Sequence, residues 1–471
     1  MTHQLIAIDL GATSGRVIRG VVGANTLDHE VVHRFPNGPT ERNGGLFWDA
    51  TGLFGNILEG MSMVSGDVGS VGVDSWAVDY CLLRDGELMW QPHHYRDQRN
   101  ERGVERVHSQ MNHEALYQRN GLQFLPFNTV YQLATEDWSD AASSADSLLL
   151  IPDLINFWLS GERATEVTNA STTGLCDVRT GEFDDELIAL SGAPRGLFAP
   201  IAQAGDRIGH LNDTTATRVG FSAPVIAVGS HDTASAVVAT PMEGDDSAYI
   251  SCGTWGLVGV ETSHPIVTDA AREANFTNER GVDGRIRFLH NVMGLWLLNE
   301  SVSHWAKQGS PESVARWVEK AADYRGQRVV FDVNDPLFMA PGDIPERIAQ
   351  WCEQHDVPKP ESEVAMVASI IESLAAAFSD AIHTAALLSG KTVSTINVVG
   401  GGSQIELLNQ RLADISGCRV VAGPVEATAL GNLLVQARSA GMIHGDLDSL
   451  RAVVRHAFSP RVFSPQRGAV I

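Results

Sequence analysis

Apolar residues along this chain alternate with short polar turns in a pattern that occurs twice. An apolar run at residues 5–8 leads into a polar turn and a second β-branched run near Val17, and residues 248–260 repeat this order. Two apolar runs joined by a short Gly-containing turn are typical of a β-hairpin. The pattern predicts one hairpin in each half of the chain.

Both predicted turns are rich in glycine and hydroxyl groups. Gly11 precedes Thr13 and Ser14 in the first turn, and Gly253 precedes Thr254 in the second. Glycine permits close backbone approach, and hydroxyls and exposed N–H groups can donate hydrogen bonds to phosphate oxygens. The two turns are therefore candidate phosphate-binding loops.

A third glycine cluster follows the apolar run at residues 395–399. Gly400, Gly401 and Gly402 stand directly after that run, and residues 407–415 then show helical spacing. The order strand, glycines, helix favours a nucleotide site. A longer helical pattern over residues 362–388 precedes the cluster.

Two common nucleotide motifs are absent. Residues 390–392 read Gly-Lys-Thr, but position 385 is Ala where a P-loop requires Gly, so we interpret the segment as a helix C-cap and loop. Gly400 and Gly402 are two residues apart, but Ile405 stands where a dinucleotide-binding fingerprint has its third glycine. The glycines therefore indicate neither a P-loop nor a Rossmann site.

Asp232 is the strongest candidate for a catalytic base. An apolar strand at residues 224–228 leads into a polar turn that contains Asp232 and then into a helix of small residues. Ligands of α/β folds bind at the carboxyl ends of strands, where such a carboxylate can face a substrate hydroxyl. The alternative is that Asp232 merely caps that helix.

The charge of the chain bears on its partners. The sequence has 34 Lys and Arg residues against 57 Asp and Glu residues, a formal charge of −23, and contains no basic run. Nucleic-acid binding depends on Lys and Arg contacts to phosphates. We expect small-molecule substrates and no nucleic-acid partner.

The apolar segments predict no membrane partner. The longest apolar stretch identified, residues 148–159, is interrupted by polar residues and is shorter than the roughly 20 residues of a bilayer span. The N-terminal apolar run lacks the basic flank of a signal peptide. The five cysteines, which lack a Cys-x-x-Cys spacing, fit free thiols in a reducing compartment. We therefore expect a cytoplasmic protein without disulfides.

In their order and content, these motifs resemble the FGGY family of carbohydrate kinases, which belongs to the actin-like ATPase superfamily. The resemblance extends almost from end to end. The matching stretches are residues 9–16, 73–79, 95–97, 123–129, 230–236, 251–255, 291–298, 400–402 and 422–427.

The resemblance implies an α/β fold of two actin-like (ribonuclease H-like) domains with an ATP and sugar cleft between them. We place the N-terminal domain at residues 1–240 and the C-terminal domain at residues 241–471. Residues 241–246 are a candidate hinge.

The resemblance also implies a reaction. ATP would phosphorylate L-rhamnulose at O1, giving L-rhamnulose 1-phosphate and ADP, with magnesium as cofactor. By family analogy Asp232 would take the proton from the O1 hydroxyl, and Asp9 would hold magnesium through water. The residues expected to bind ATP are Ala12, Thr13, Ser14, Gly15, Arg16, Thr254, Asn299 and Gly401. Those expected to contact the sugar are Ala77, His231, Asp232, Thr233 and Asn291.

Two positions depart from the family pattern. Ala77 replaces a glycine that contacts the substrate, and Asn299 replaces a glutamine that contacts ATP. The methyl group of Ala77 would narrow the sugar pocket or shift its backbone, so another ketose or deoxy sugar, such as L-fuculose or xylulose, stays an alternative substrate. A non-catalytic ATP- or sugar-binding module is a second alternative, and the oligomeric state is expected to be monomer or homodimer.

Overall fold

The structure is a computed structural model that describes residues 4–24, 26–340 and 342–466. Strands and helices are interspersed in the described residues, which confirms the predicted α/β class. The first thirteen strands are β1 (Gln4–Leu10), β2 (Ser14–Gly23), β3 (Thr26–Pro36), β4 (Thr40–Arg42), β5 (Gly45–Phe47), β6 (Val68–Ser75), β7 (Tyr80–Arg84), β8 (Glu87–Leu88), β9 (Ser147–Leu150), β10 (Thr165–Glu166), β11 (Ile201–Ala202), β12 (Arg207–His210) and β13 (Pro224–Ile226). The later strands are β14 (Ser247–Cys252), β15 (Trp255–Thr262), β16 (Thr277–Arg280), β17 (Ile286–Met293), β18 (Thr395–Val399), β19 (Arg419–Ala422) and β20 (Arg461–Phe463).

The helices lie between these strands. The first ten are α1 (Ala50–Ser62), α2 (Asn100–His108), α3 (His113–Asn120), α4 (Thr129–Leu133), α5 (Ile151–Ser160), α6 (Val167–Ala170), α7 (Asp185–Ser191), α8 (Asp213–Val219), α9 (Asp232–Val238) and α10 (Asp269–Glu273). The others are α11 (Trp296–Lys307), α12 (Val314–Ala322), α13 (Ile344–Gln354), α14 (Glu363–Ser389), α15 (Glu406–Ser416), α16 (Ala427–Ser439) and α17 (Leu447–Ala457).

The chain forms two compact units. The first unit contains the chain up to Pro241, together with Glu261–Phe288 and Glu426–Ala457. The second unit contains Met242–Val260, Leu289–Val425 and the chain from Phe458 onward. The longest segment of the first unit thus ends beside the boundary that we placed after residue 240, and two later segments return to that unit.

The main sheet of the first unit has the strand order β12-β13-β6-β1-β2-β3. Strands β1 and β2 pair in antiparallel register, which confirms the first predicted hairpin. Strand β6 is parallel to both β1 and β13. The carboxyl ends of these three parallel strands therefore lie along one edge of the sheet, where an α/β fold presents its ligand-binding loops.

Helix α16 packs against α9 and β1, although it is about 200 residues away from α9 in the sequence. The approach is close at Gly431, where a Cβ atom would lie 1.8 Å from the carbonyl oxygen of Ser235. A Cβ at Gly72 on β6 would lie 2.6 Å from Oδ1 of the buried Asn432, so that side chain would have to move. Small residues thus let α16 lie directly against the strands and the helix that carry the candidate site.

The sheet of the second unit includes the neighbouring strands β15-β14-β18-β19-β20, in that order. Strands β14 and β15 form the second predicted hairpin. The predicted strand, glycine cluster and helix are also confirmed, as β18, a short 3-10 helix at Gly401–Gln404 and α15. Gly390 ends α14 in the left-handed conformation with φ of 68°, which confirms the predicted C-cap.

Helix α14 qualifies by length and composition as a membrane span, which the search for apolar runs in the sequence did not detect. In its most apolar window, however, 83% of the helix is buried inside the protein. This environment is that of a core helix. The five cysteines are also buried, and each is a free thiol.

Candidate active site

Asp9 lies near the end of β1, and only 1% of the residue is exposed. Arg16 is its register partner on β2, and Nε of Arg16 donates a hydrogen bond to Oδ2 of Asp9 at 2.9 Å. Nη1 of Arg16 also lies 2.8 Å from Oε2 of Glu426. Burial raises the pKa of Asp9, and the charge of Arg16 opposes that rise without cancelling it. The first hairpin thus holds a buried carboxyl group beside a guanidinium group that two acidic residues share.

The predicted phosphate-binding residues 12–16 form the turn of this hairpin and the first part of β2. Asn37 fixes the turn, because its Nδ2 donates to the carbonyl oxygen of Gly11 at 2.8 Å. Gly15 has a packing role, since a Cβ atom there would lie 2.2 Å from the ring of Phe35. Asn37 and Phe35 therefore hold the turn in place, and the hairpin pattern in the sequence indicated neither residue.

Three acidic residues meet near the carboxyl ends of β1, β6 and β13. Asp74 on β6 is the register partner of Asp9. The backbone N–H of Ser75 donates to the carbonyl oxygen of Ser230 at 2.9 Å, so the loop that leads to Asp232 lies beside the end of β6. Burial is the largest cause of the raised pKa values of Asp9 and Asp74, and the charge of Asp232 raises both further.

The acidic residues do not enclose a metal site. Among the residues that the structure describes, no three His, Cys, Asp or Glu side chains are grouped so as to hold a metal ion directly. Magnesium is commonly bound through one or two carboxylates and keeps several of its waters. The donor chemistry at Asp9 therefore fits a hydrated magnesium ion better than an ion enclosed by protein ligands.

Asp232 is the first residue of α9, and the N-cap residue is His231. Oδ1 of Asp232 accepts a hydrogen bond from the backbone N–H of Thr233 at 2.6 Å and lies 3.4 Å from Nε2 of His231. The side chain of Asp232 is 31% exposed, whereas that of His231 is 7% exposed. Because His231 is the N-cap residue, the alternative that Asp232 caps the helix is wrong. The backbone of Thr233 orients one carboxylate oxygen of Asp232, and the carboxylate remains accessible.

Glu166 on β10 fixes the loop in front of Asp232. Its Oε2 accepts hydrogen bonds from the backbone N–H of Ser230 at 2.9 Å and from Oγ of Ser230 at 2.8 Å. Thr168 donates to the same oxygen through its backbone N–H. Burial raises the pKa of Glu166, and these hydrogen bonds oppose the rise. Glu166 could not be predicted from the sequence, because no local pattern indicates contact between two segments 64 residues apart.

Ala77 lies in a turn that is supported by the buried carboxyl group of Asp79. The residue between them, Val78, has a φ of 68°, a left-handed conformation that β-branched residues rarely adopt. The carboxyl group of Asp79 accepts four hydrogen bonds, from Nε1 of Trp48 (2.6 Å), Nε1 of Trp76 (3.0 Å), the backbone N–H of Tyr95 (3.2 Å) and Nε2 of Gln132 (2.9 Å).

Glu279 on β16 and Arg287 on β17 also lie in the first unit and contact His231. Nη2 of Arg287 is 3.1 Å from Nδ1 of His231 and 3.1 Å from Oε2 of Glu279. Sequence reasoning missed both residues. The available signal was a charged residue, Arg287, inside the apolar pattern of a buried strand.

The other predicted ATP residues belong to the second unit. Thr254 lies in the turn between β14 and β15, and its carbonyl oxygen accepts a hydrogen bond from the backbone N–H of Trp296 at 3.3 Å. Trp296 begins α11, the helix that contains Asn299. The turn of the second hairpin is thus joined to the start of the helix that carries the predicted ATP contact.

The glycine cluster packs against the end of β14. Gly400 has a φ of 80°, and its Cβ would lie 2.9 Å from the carbonyl oxygen of Cys252. A Cβ on Gly402 would lie 2.3 Å from Sγ of Cys252, whereas Gly401 has no such close neighbour. Packing therefore disfavours a side chain at Gly400 and Gly402, whereas a Cβ at Gly401 would meet Leu295 at an ordinary contact distance of 3.5 Å.

The predicted site residues thus form two sets. The set in the first unit comprises Asp9, Ala12, Thr13, Ser14, Gly15, Arg16, Ala77, His231, Asp232 and Thr233. The set in the second unit comprises Thr254, Asn291, Asn299 and Gly401.

Comparison with known proteins identifies the family. The model of the N-terminal domain of the FGGY family of carbohydrate kinases matches residues 4–239, and that of the C-terminal domain matches residues 248–440. A curated Bacillus subtilis (strain 168) protein named Rhamnulokinase is 38% identical over 466 residues, which cover 98% of this chain and 95% of the relative. A Bacteroides thetaiotaomicron protein of the same name is 36% identical over 473 residues, covering 99% and 96% of the two chains.

Solved structures share the fold. A ligand-bound xylulose kinase from Lactobacillus acidophilus has a TM-score of 0.80 at 17% identity, covering 98% of this chain and 94% of that one. Plasmodium falciparum glycerol kinase with ADP has a TM-score of 0.79 at 14% identity, covering 99% and 94%. The expected actin-like fold and the family resemblance are confirmed, and the chain belongs to the FGGY family of carbohydrate kinases.

Proposed function

We propose that the chain transfers the γ-phosphoryl group of ATP to the O1 hydroxyl of L-rhamnulose, giving L-rhamnulose 1-phosphate and ADP in L-rhamnose catabolism. The observation that carries the reaction type is the oriented and 31% exposed side chain of Asp232 beside the ends of β1 and β6. The choice of sugar rests on relatives named Rhamnulokinase, which are 36% and 38% identical over nearly the whole chain.

Asp232 is the proposed general base. One carboxylate oxygen is engaged with the backbone N–H of Thr233, so the other can accept the proton of the sugar hydroxyl as O1 attacks phosphorus. Phosphoryl transfer needs mainly alignment and charge neutralisation, so a modestly activated hydroxyl suffices. His231, Thr233, Asn291 and the turn at Ala77 are the proposed sugar contacts.

The phosphates of ATP are assigned to the two hairpin turns. Residues 12–16 and Thr254 would donate hydrogen bonds to phosphate oxygens, and Asn299 and Gly401 would contact the nucleotide. Asp9 would hold magnesium through water, and the bound ion would supply positive charge at the phosphates. Arg16 is the cation nearest to Asp9 in the first hairpin, and it can add to that neutralisation.

The alternative functions make different predictions. Another ketose, such as L-fuculose or xylulose, would keep Asp232 as the base and require only a different fit at Ala77. A non-catalytic module would bind ATP or sugar without making ADP. We propose a cytoplasmic location, which accords with five buried free thiols.

ADP release tests the proposal directly. Purified protein with magnesium and ATP would be assayed with L-rhamnulose, L-fuculose, xylulose, L-ribulose and glycerol, and phosphorus NMR would locate the phosphate on the product. We expect the highest kcat/KM for L-rhamnulose, phosphate at C1, and a loss of at least about a thousandfold in kcat for Asp232→Asn.

A surface substitution provides the matched control. Asp28 is exposed on β3, so Asp28→Asn changes the same chemical group away from the site and should leave kcat unchanged. Preference for another ketose would refute the sugar assignment alone. Wild-type turnover by Asp232→Asn would refute the base, and a lack of sugar-dependent ADP with every sugar would refute the kinase reaction.

A further inference from the structure

Four side chains form a continuous polar chain that ends at Asp232. Nε2 of His231 is 3.4 Å from Oδ1 of Asp232, and Nδ1 on the other side of the ring is 3.1 Å from Nη2 of Arg287. Glu279 completes the chain, with Oε2 at 3.1 Å from the same Nη2 atom and at 3.4 Å from Nδ1 of His231. Both ring nitrogens of His231 therefore face protein groups.

This chain is buried except at Asp232. The side chain of Arg287 is 0% exposed and that of Glu279 is 7% exposed. An unpaired charge in such surroundings is costly, so Glu279 and Arg287 stabilise each other as ions. Burial alone would raise the pKa of Glu279, but the charge of Arg287 opposes that rise, and the pKa is lowered. Glu279 is therefore ionised at neutral pH and keeps Arg287 in place.

The guanidinium group determines which nitrogen of neutral His231 carries the proton. An arginine side chain has only donors, so Nη2 of Arg287 can bond to Nδ1 only if Nδ1 offers its lone pair. Oε2 of Glu279 lies 3.4 Å from the same nitrogen and would favour a proton on Nδ1, but the contact of Nδ1 with Nη2 is shorter at 3.1 Å. The geometry therefore favours a proton on Nε2, the nitrogen that faces Asp232. An N–H group pointed at a carboxylate favours its ionised form, which is the form that a general base requires.

We propose that Glu279 and Arg287 are positioning residues that hold His231 as the Nε2–H tautomer, so that the Nε2–H group faces and orients the carboxylate of Asp232 for proton abstraction. This inference rests on the proposed role of Asp232 as the base. It gives His231 a role in orienting the base in addition to its predicted contact with the sugar.

Other charged groups also lie near these four side chains. Asp9 and Asp74 interact electrostatically with Asp232 from β1 and β6. On the far side of α9, Arg451 from α17 donates to the carbonyl oxygen of Val237 and pairs with Glu261. These groups are unchanged when the pair of Glu279 and Arg287 is replaced, so they do not account for a difference between the variant and the wild type.

The first test measures the tautomer in the wild-type protein. Nitrogen NMR of ¹⁵N-histidine-labelled wild-type protein near neutral pH reports the tautomer of each histidine, and the signal lost in His231→Gln assigns His231. We expect a protonated Nε2 and an unprotonated Nδ1. A neutral ring protonated at Nδ1, or an even mixture of tautomers, would overturn the proposal whatever the activity.

The second test is the double variant Glu279→Gln/Arg287→Met, which removes both buried charges together. We expect kcat for L-rhamnulose to fall at least about tenfold, the acid limb of the pH profile of kcat/KM to move up by about one pH unit, and KM for ATP to stay within about twofold. The NMR signal of His231 should change to a mixture of tautomers.

A second arginine pair in the same unit serves as the control. Nη1 and Nη2 of Arg438 bind the carboxylate of Asp283 at 2.7 Å each, near the surface. Asp283→Asn/Arg438→Met should leave the acid limb and the tautomer of His231 unchanged. A wild-type pH profile in the Glu279/Arg287 double variant, while Asp232→Asn is inactive, would refute the positioning role alone. Turnover by Asp232→Asn would instead refute the proposed base, and the tautomer of His231 would still be measured independently.

Discussion

Asp9 and Asp74 are register partners on the parallel strands β1 and β6, so two carboxyl groups are buried side by side. Arg16 forms an ion pair with Asp9, whereas Asp74 accepts a hydrogen bond from the amide Nδ2 of Asn432 at 2.6 Å. Burial raises the pKa of Asp74 well above its usual range, and the charge of Asp9 adds to that rise. Folding therefore favours the protonated form of Asp74.

Asp74→Asn should reduce the loss of folding stability that occurs as the pH rises. Because the folded pKa of Asp74 is raised, its contribution to stability is greatest below the unfolded pKa of about 3.9 and is lost as pH rises toward the folded pKa. Asn keeps an acceptor for Asn432 and cannot ionise. The free energy of unfolding of the variant, measured in urea, should increase relative to wild type as the pH rises from about 4 toward the raised folded pKa.

The exposed Asp28→Asn should show no such relative increase, since Asp28 is exposed on β3. A pH-independent difference between Asp74→Asn and wild type would show that Asp74 gains no proton on folding.

Tryptophan fluorescence should titrate near neutral pH because of Asp79. Burial raises the pKa of Asp79 to about 7, and Trp48 and Trp76 both donate to its Oδ2. His94 stacks on Trp48 at 4.2 Å, but burial lowers the pKa of His94 to about 3, which removes it from this pH range. We expect an emission change with a midpoint near pH 7 that disappears in Asp79→Asn.

The same substitution should destabilise the protein. An Asn side chain would direct an amide NH₂ at N–H donors that now meet a carboxyl oxygen, and unsatisfied buried donors cost about 1 to 3 kcal/mol each. The midpoint of thermal unfolding measures this loss. A fluorescence titration that persists in Asp79→Asn would assign the titration to another group.

The local parts of this fold could be predicted from the sequence. The hairpin at β1 and β2, the hairpin at β14 and β15 and the cap at Gly390 each depend on residues that are close in the chain. Asp232 could also be proposed as the base from a local signal, a carboxylate that follows an apolar strand. Its N-cap alternative was wrong because His231 occupies that position.

The surroundings of the site could not be predicted in this way. Glu166 meets Ser230 across 64 residues, and Arg287 meets His231 across 56. Such contacts arise from strand order and from the way helices pack on a sheet, which a periodic pattern does not encode. The left-handed Val78 is a further example, since its β-branched side chain predicts an extended conformation.

Val78→Gly should cost less stability than a buried Val→Gly substitution usually does. Val78 has a φ of 68°, a conformation that destabilises a non-glycine residue by about 1 to 2 kcal/mol relative to glycine. The relief of this backbone strain in Val78→Gly offsets part of the stability that is lost with the side chain of Val78, a residue that is only 8% exposed. Because the turn also holds Ala77, a proposed sugar contact, we expect KM for the sugar to rise several-fold while KM for ATP is unchanged.

Val64→Gly is the matched control for this substitution. Val64 is 6% exposed, lies outside the helices and strands, and is not among the described residues with positive φ. Urea unfolding should therefore show a larger loss for Val64→Gly than for Val78→Gly by about 1 kcal/mol or more. Equal losses would indicate that the backbone at Val78 is not strained.

Gly431→Ala should disrupt the packing that supports Asp232. A methyl group at Gly431 would lie 1.8 Å from the backbone carbonyl oxygen of Ser235 on α9, and a backbone atom cannot rotate away as a side chain can. Helices α9 and α16 must then separate, and overpacking of this kind costs about 3 kcal/mol. Since Asp232 begins α9, kcat should fall together with the midpoint of thermal unfolding.

Gly55→Ala separates this packing effect from helix propensity. Gly55 lies inside α1, and a Cβ atom there would meet nothing within 4 Å. Alanine is favoured over glycine in a helix by about 1 kcal/mol, so Gly55→Ala should raise the unfolding midpoint and leave kcat unchanged. If Gly431→Ala also raised the midpoint, α16 would not lie as close to α9 as the structure has it, and α16 would not fix the position of Asp232.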